Sequence, residues 1–415
     1  MLKEENLKLR VCDIPSKFIA LEKRDLPLLS LLILFKIGAV NDPSGKSGLA
    51  HLLEHMMFNG SEKFPAGEFD RILESAGGYS NAFTAYDYTG YYEVFPSSKL
   101  EKVLELELDR LNNLVIEEEI LEKEKKVVLE ERKLTVENDT KGLLEETLGY
   151  ISFFNHPYRR PIIGTNQELK RITVWDLKDL YRFYSPENAV VVLAGDVELD
   201  YACKKLERFA KLWGNRGHFS KWDFGMEDMQ GRRTAIVKKS MGLDAYMAAF
   251  KTPAPGNIEE FISLLLLPYI ISETLSARIR RVLVEEKRIA SQFESWYDPR
   301  VEISLFYLYA EASKGVTGER LGEELIKELN FLKESLEDEE FEIARTRFIL
   351  DERLKCQRVE ELAELIALGE IFWNDPYFYF SLLDRVKKLD KLRFLETINA
   401  VVCEDNLSEV ILKNV

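Results

Sequence analysis

The chain has 415 residues, of which 46% are hydrophobic and 31% charged, more apolar material than one core of ordinary size uses, so two or more domains are expected. Acidic residues outnumber basic ones by 72 to 57, a formal charge of -15, which argues against a surface-wide attraction to nucleic acid or anionic lipid. No stretch is biased enough to read as collagen, low-complexity tail or long disordered arm.

The first residues, MLKEENLKLR, lack the apolar core of a secretory signal and carry acids that a mitochondrial transit peptide avoids. The apolar run from Leu26 to Val40 is interrupted by Pro27, Ser30, Lys36 and Gly38 and falls short of the roughly 20 residues that span a bilayer. It reads as a buried strand, and no membrane span is expected. Cys12, Cys203, Cys356 and Cys403 lie far apart without a C-x-x-C pattern, so they read as unpaired thiols. Missing signals and unpaired thiols together predict a reducing, cytoplasmic location.

The order of segments repeats at a nearly constant offset. The strand-like run ending Phe35-Lys36 is matched by one ending Phe250-Lys251, 215 residues on. Asn155-His156-Pro157-Tyr158 is echoed by Asn374-Asp375-Pro376-Tyr377 at 219, and Ala189-Val190-Val191 by Ala400-Val401-Val402 at 211. Between the halves, the glycine-rich stretch Gly214 to Arg232 reads as a linker. The expected organisation is a first domain at 1–215, a linker at 216–232 and a second, homologous domain at 233–415. Short apolar runs alternate with long Glu/Lys/Leu helices such as Val115 to Glu137 and Glu337 to Leu368. This predicts an α+β fold: two domains of similar topology, each a mostly antiparallel sheet packed against helices.

The sharpest chemical signal is His51-Leu52-Leu53-Glu54-His55, in an apolar helical stretch opened by Ser47-Gly48. Histidines at i and i+4 share a helical face, so both imidazoles can reach one zinc ion, with Glu54 placed to take a proton from its water. The chain has only four histidines, which makes two at this spacing poorly explained as buried helix histidines. A catalytic zinc needs a third protein ligand. In Ile120 to Glu137, Glu124 and Glu131 share a helical stripe with Ile120, Val127, Val128 and Leu134. Acids on an apolar stripe need a partner. Glu122 and Glu130 point away from that stripe, which favours Glu131 over them as a ligand.

These residues, with Gly48-Leu49-Ala50 before the motif, Met56-Met57-Phe58-Asn59-Gly60 after it, His156-Pro157-Tyr158 and Tyr184 to Val197, resemble the pitrilysin and insulin-degrading family of inverted-motif zinc peptidases. The likeness is strongest to its mitochondrial-processing-peptidase-like branch of short subunits. The resemblance implies that His51, His55 and Glu131 bind one Zn2+ per chain, that Glu54 is the catalytic base and that Glu124 is the supporting acid. It also implies that Asn81, Ala82, Phe83 and Thr84, in a glycine-led aromatic run, form a substrate-binding edge strand for an extended peptide or unfolded polypeptide.

Shifting the motif by 215 lands on Leu266-Leu267-Pro268-Tyr269-Ile270, which offers no metal ligand. The segment Ser276 to Ser291 resembles the stretch that supplies an arginine and a tyrosine in active complexes of the family, yet Val284 and Ala290 or Ser291 stand at those places. The expectation is a zinc-bearing subunit of a heterodimer whose homologous partner lacks zinc ligands and supplies the arginine and tyrosine, a homodimer being the other arrangement considered. Against the zinc endopeptidase stand two alternatives: a non-catalytic scaffold or assembly subunit of the same fold, and a structural zinc site.

Overall fold

The computed structural model describes residues 7–14, 16–214, 217, 224, 227, 231–274 and 276–415. Most of the expected linker therefore lies outside the described residues. Among the described residues, eleven strands form two sheets: β1 Lys8–Val11, β2 Lys17–Glu22, β3 Leu28–Phe35, β4 Tyr79–Thr84, β5 Thr89–Pro96, β6 Ala189–Gly195, β7 Arg233–Lys238, β8 Ala245–Pro253, β9 Ala290–Asp298, β10 Ile303–Ala312 and β11 Leu407–Lys413. The helices that matter below are α1 Leu49–Met56, α2 Glu68–Ser75, α3 Glu118–Arg132, α4 Thr140–Ser152, α5 Leu199–Leu212, α6 Ile258–Ile271, α7 Gly318–Ser335, α8 Asp338–Lys355 and α9 Val359–Trp373.

The first sheet runs β1-β2-β6-β3-β5-β4 and the second β7-β11-β8-β10-β9. In each, one parallel pair (β2 with β6, β7 with β11) is followed by antiparallel neighbours. Apart from β1, the second order repeats the first strand for strand, so the two sheets share one topology and the fold class is α+β. Burial explains the order: β6, AVVVLAG, is buried along its whole length, as a strand covered on both faces must be, and β3 is buried from its second residue on.

Two details of the sequence reading are corrected. The echo of Ala189-Val190-Val191 in Ala400-Val401-Val402 does not mark equivalent elements, since Ala189 opens β6 whereas Val401 ends the helix Lys391–Val401 and β11 starts at Leu407. The stretch from Glu337 to Leu368 is not one helix, because the amides of Gln357 and Arg358 close tight turns onto Leu354 and Lys355. The chain is thereby redirected between α8 and α9.

Contacts divide the chain into two compact units, each assembled from three segments: 1–130, 161–223 and 353–379 in one, and 131–160, 224–352 and 380–415 in the other. In the first unit, α9 from late in the chain lies on β6, β3 and β5; in the second, α4 from early in the chain lies on β8, β11 and β7. Thus each sheet is covered by a helix from the opposite half of the sequence. The buried Glu370 of α9 meets Lys17 of β2 at 3.0 Å, an ionic fastening within that apolar contact.

The expectation of four unpaired thiols is also corrected: Cys12 and Cys203 form a disulfide across 191 residues, with Cα atoms 5.4 Å apart. It ties the connection between β1 and β2 to α5. Spacing in sequence gave no hint of it, because the sheet brings the two ends together. The cysteines therefore no longer argue for a reducing compartment. No described helix is long and apolar enough to cross a membrane.

Candidate metal centre and active site

Local chemistry holds α1 in place before any metal is considered. Asp42, 2% exposed, accepts from the amides of Gly48 at 2.7 Å, Leu49 at 3.2 Å and Ala50 at 2.9 Å. Three donors that a helix start leaves without intrahelical partners are thus satisfied by one carboxylate, whose charge also suits the positive end of the helix. Gly48 enters the helix at φ +88°, and an added Cβ would lie 2.7 Å from the Ile163 carbonyl oxygen, so only glycine fits the crossing. Leu49, Ala50, Leu52, Leu53 and Met56 turn into the core. The remaining face of α1 carries His51, Glu54 and His55, all half-buried.

The His51 and His55 rings lie with centroids 4.8 Å apart. Together with Glu131, near the end of α3, they offer three ligand atoms that all lie within 4.8 Å of one another. Two imidazole nitrogens and one carboxylate oxygen at that spacing fit a tetrahedral zinc with one position left open, the donor set of a catalytic site. Glu124, two turns earlier on α3, does not join this group. Its Oε2 lies 3.4 Å from His55 Nδ1, and the contact with His55, aided by Asn59 and opposed by burial, holds its carboxyl below the ordinary range. With Nδ1 facing Glu124, His55 has Nε2 for a ligand. Asn59 also donates to the His55 carbonyl oxygen at 3.0 Å.

Beyond Arg132, α3 loosens into a wide π-helical turn over Lys133–Glu137. Arg132, next in sequence to Glu131, grips Glu146 of α4 with two bonds of 2.6 and 2.8 Å. This bidentate pair fixes the end of the helix where regular hydrogen bonding gives out.

The run containing Asn81 to Thr84 forms β4, the edge of its sheet. Along it Ser80, Ala82 and Thr84 share one face: Ser80 donates to Asp70 of α2 at 2.9 Å, Ala82 packs on the core, and Thr84 Oγ1 donates to Glu54 Oε2. On the other face Tyr79 donates to Glu360 of α9 at 3.0 Å, Asn81 is exposed, and Phe83 packs over Gly90. Behind the strand, Tyr91 and Tyr184 are fully buried with hydroxyls 3.3 Å apart. Burial, with the charge of Glu54 adding to it, pushes both phenols up and keeps them neutral.

In the second half, Leu266 to Ile270 sit in the apolar α6. Val284 falls in a wide turn, Arg281–Glu286; Ala290 opens β9 and is buried; and Ser291 donates to the Glu311 carbonyl at 3.3 Å. His156-Pro157-Tyr158 serves as a buckle: the buried His156 meets Glu302 at 2.7 Å and accepts from the Tyr158 amide. Glu227 accepts from the amides of Phe154, Asn155 and His156. Burial opposes its charge, but those donors and Lys251 hold its pKa at about 2.

Sequence reasoning missed Asp42, Asn59, the Arg132–Glu146 pair and the bond from Thr84 to Glu54. Asp42 lies six residues before Gly48, outside any capping pattern; Asn59 bonds locally, four residues after His55; and the Arg132–Glu146 and Thr84–Glu54 contacts join residues whose proximity only the fold creates.

Residues 19–166 match the family model described as insulinase, peptidase family M16, and residues 171–348 match the model described as peptidase M16 inactive domain. The chain is 33% identical over 313 residues to the zinc protease PqqE of Helicobacter pylori, covering 72% of this chain and 68% of that protein. An uncharacterized zinc protease of Rickettsia bellii is 25% identical, over 93% of this chain and 92% of its own length. Among solved structures, a protease from Helicobacter pylori superposes with TM-score 0.89 at 26% identity, covering 98% of this chain and all of that one. An M16 inactive domain from Pseudomonas fluorescens superposes at 0.88 with 15% identity, over 98% and 97% of the two chains, a likeness of fold alone.

Proposed function

The chain belongs to the insulinase family of peptidases, M16, and from that premise we propose that it is a zinc-dependent endopeptidase that cleaves extended peptides with Glu54 as general base. The observation that carries this reading is the convergence of His51, His55 and Glu131, from two helices, beside a glutamate on the same turn as the histidines. When bound, one zinc ion per chain would polarise the attacked carbonyl and bring the pKa of its water to about 7.

The protein's own residues divide the remaining work. His51, His55 and Glu131 would hold the ion, and Glu124 would orient His55 through Nδ1. Glu54 would take the proton of the attacking water and return it to the leaving amine, a general acid–base role worth about 10²–10⁴ in rate. An edge strand presents backbone donors and acceptors on one side, so Asn81, Ala82, Phe83 and Thr84 would align the backbone of an extended substrate with little regard for its side chains. A structural zinc site fits less well, since such sites close all four positions and have no use for Glu54.

In the second half, the positions equivalent to the histidine motif are Leu266 to Ile270, which offer no metal ligand, and Val284 and Ala290 or Ser291 stand where the family resemblance places the arginine and the tyrosine. The reading is completed by a heterodimer in which a homologous partner supplies both. The experiment is metal analysis of the purified chain together with peptide cleavage, with and without the homologous subunit. One zinc per chain and cleavage only with the partner are expected. Full activity of the chain alone would remove the heterodimer, and zinc without cleavage in any combination would leave the scaffold reading standing.

A further inference from the structure

The edge strand and the proposed base are joined by a side-chain bond that metal binding does not require. Thr84 ends β4, and its hydroxyl donates to Glu54 Oε2 on α1. As an edge strand, β4 has β5 on one side only. What fixes its facing side chains is the pair of helices beneath it, through Ser80 to Asp70, Ala82 in the core and Thr84 to Glu54.

Thr84 itself stands on a stiff support. It pairs with Thr89, which is fully buried and donates to the Ile37 carbonyl at 2.9 Å. The next residue, Ala85, donates to the Tyr88 carbonyl at 2.8 Å and accepts from the Ala39 amide at 3.0 Å. Gly38 packs so closely that an added Cβ would lie 2.5 Å from the Ala85 oxygen. A hydroxyl held this firmly selects one orientation of the carboxylate it meets.

We infer that Thr84 is a positioning residue for the base: by committing Glu54 Oε2 it assigns the water's proton to Oε1 and couples the base to the strand along which substrate would lie. The inference rests on the peptidase reading. Thr84 takes no part in bond making, because its single hydroxyl proton is already given to Glu54.

Thr84→Val keeps the branched shape and removes the donor, whereas Thr84→Ser keeps the donor. In whichever form of the enzyme cleaves an internally quenched peptide, kcat of Thr84→Val is expected to fall by about 10²-fold, the order that misplacing a catalytic group costs, with KM within about twofold of wild type. Zinc content should stay at one per chain, and Thr84→Ser should recover most of kcat. Undiminished kcat in Thr84→Val, a change in KM alone, or a serine variant as impaired as the valine one would overturn the inference. A second measurement does not depend on activity: urea midpoints of Thr84→Val, Glu54→Ala and the double variant should be non-additive. If no form of the enzyme cleaves peptide, the peptidase reading fails, and additive midpoints would separately remove the bond.

Discussion

Asp42→Ala withdraws the carboxylate that accepts from the amides of Gly48, Leu49 and Ala50, all three residues lying at the start of the helix that carries His51 and His55. Loss of a helix cap costs about 1–2 kcal/mol. Here the acceptor is charged and 2% exposed, and water cannot easily replace it at amides this deep, so the cost should rise to about 3 kcal/mol. Asp42→Asn keeps one acceptor oxygen but turns an NH2 group toward an amide donor, so about 1–2 kcal/mol is expected. Zinc affinity should fall about tenfold or more in the alanine variant, because both imidazoles move with the helix. Urea unfolding with unchanged slope gives the stability change, and competition with a metal chelator gives the affinity. An alanine variant within about 0.5 kcal/mol of wild type, or one destabilised as expected but binding zinc at full strength, would refute the claim that this cap sets the histidine geometry.

Arg132→Met should lose the bidentate grip on Glu146 and leave a half-buried carboxylate unpaired, a cost of about 2–3 kcal/mol; chelator competition should show weaker zinc binding, since Glu131 is the adjacent residue. Thiol titration in denaturant should count two free cysteines before reduction and four after. Cys203→Ser should lower the melting temperature by an amount set by a stabilisation of about 2–4 kcal/mol, for which chain entropy over so long a loop gives an upper value of about 5 kcal/mol. For Glu227 the folded pKa of about 2 lies below the ordinary 4.5. Its contribution is therefore present above about pH 4.5 and is lost as pH falls toward about 2. Urea midpoints taken across that window should fall less steeply in Glu227→Gln than in wild type.

The candidate metal-binding group was legible because helical periodicity is written in sequence: His51 and His55 recur at i and i+4, and Glu131 shares a stripe with apolar residues of one helix. The duplicated sheet was legible through Phe35 and Phe250, which fall in the equivalent strands β3 and β8. The exchange of α4 and α9 between the sheets was not, because amphipathic pattern tells which face a helix buries and not against which sheet. For the same reason the break at Cys356 to Arg358, which lacks glycine and proline, read as continuous helix. Thr84 and the Cys12–Cys203 bond act over distances that only the folded sheet closes, and Asp42 reaches its amides through a local turn that matches no capping pattern.

The most direct test is zinc content measured beside peptide cleavage in wild type, Glu131→Gln and Glu54→Gln. The account predicts one zinc in the wild type, a large loss of zinc in Glu131→Gln, and retained zinc with cleavage reduced at least about 10²-fold in Glu54→Gln. Full zinc in Glu131→Gln, or undiminished cleavage by Glu54→Gln, would contradict it.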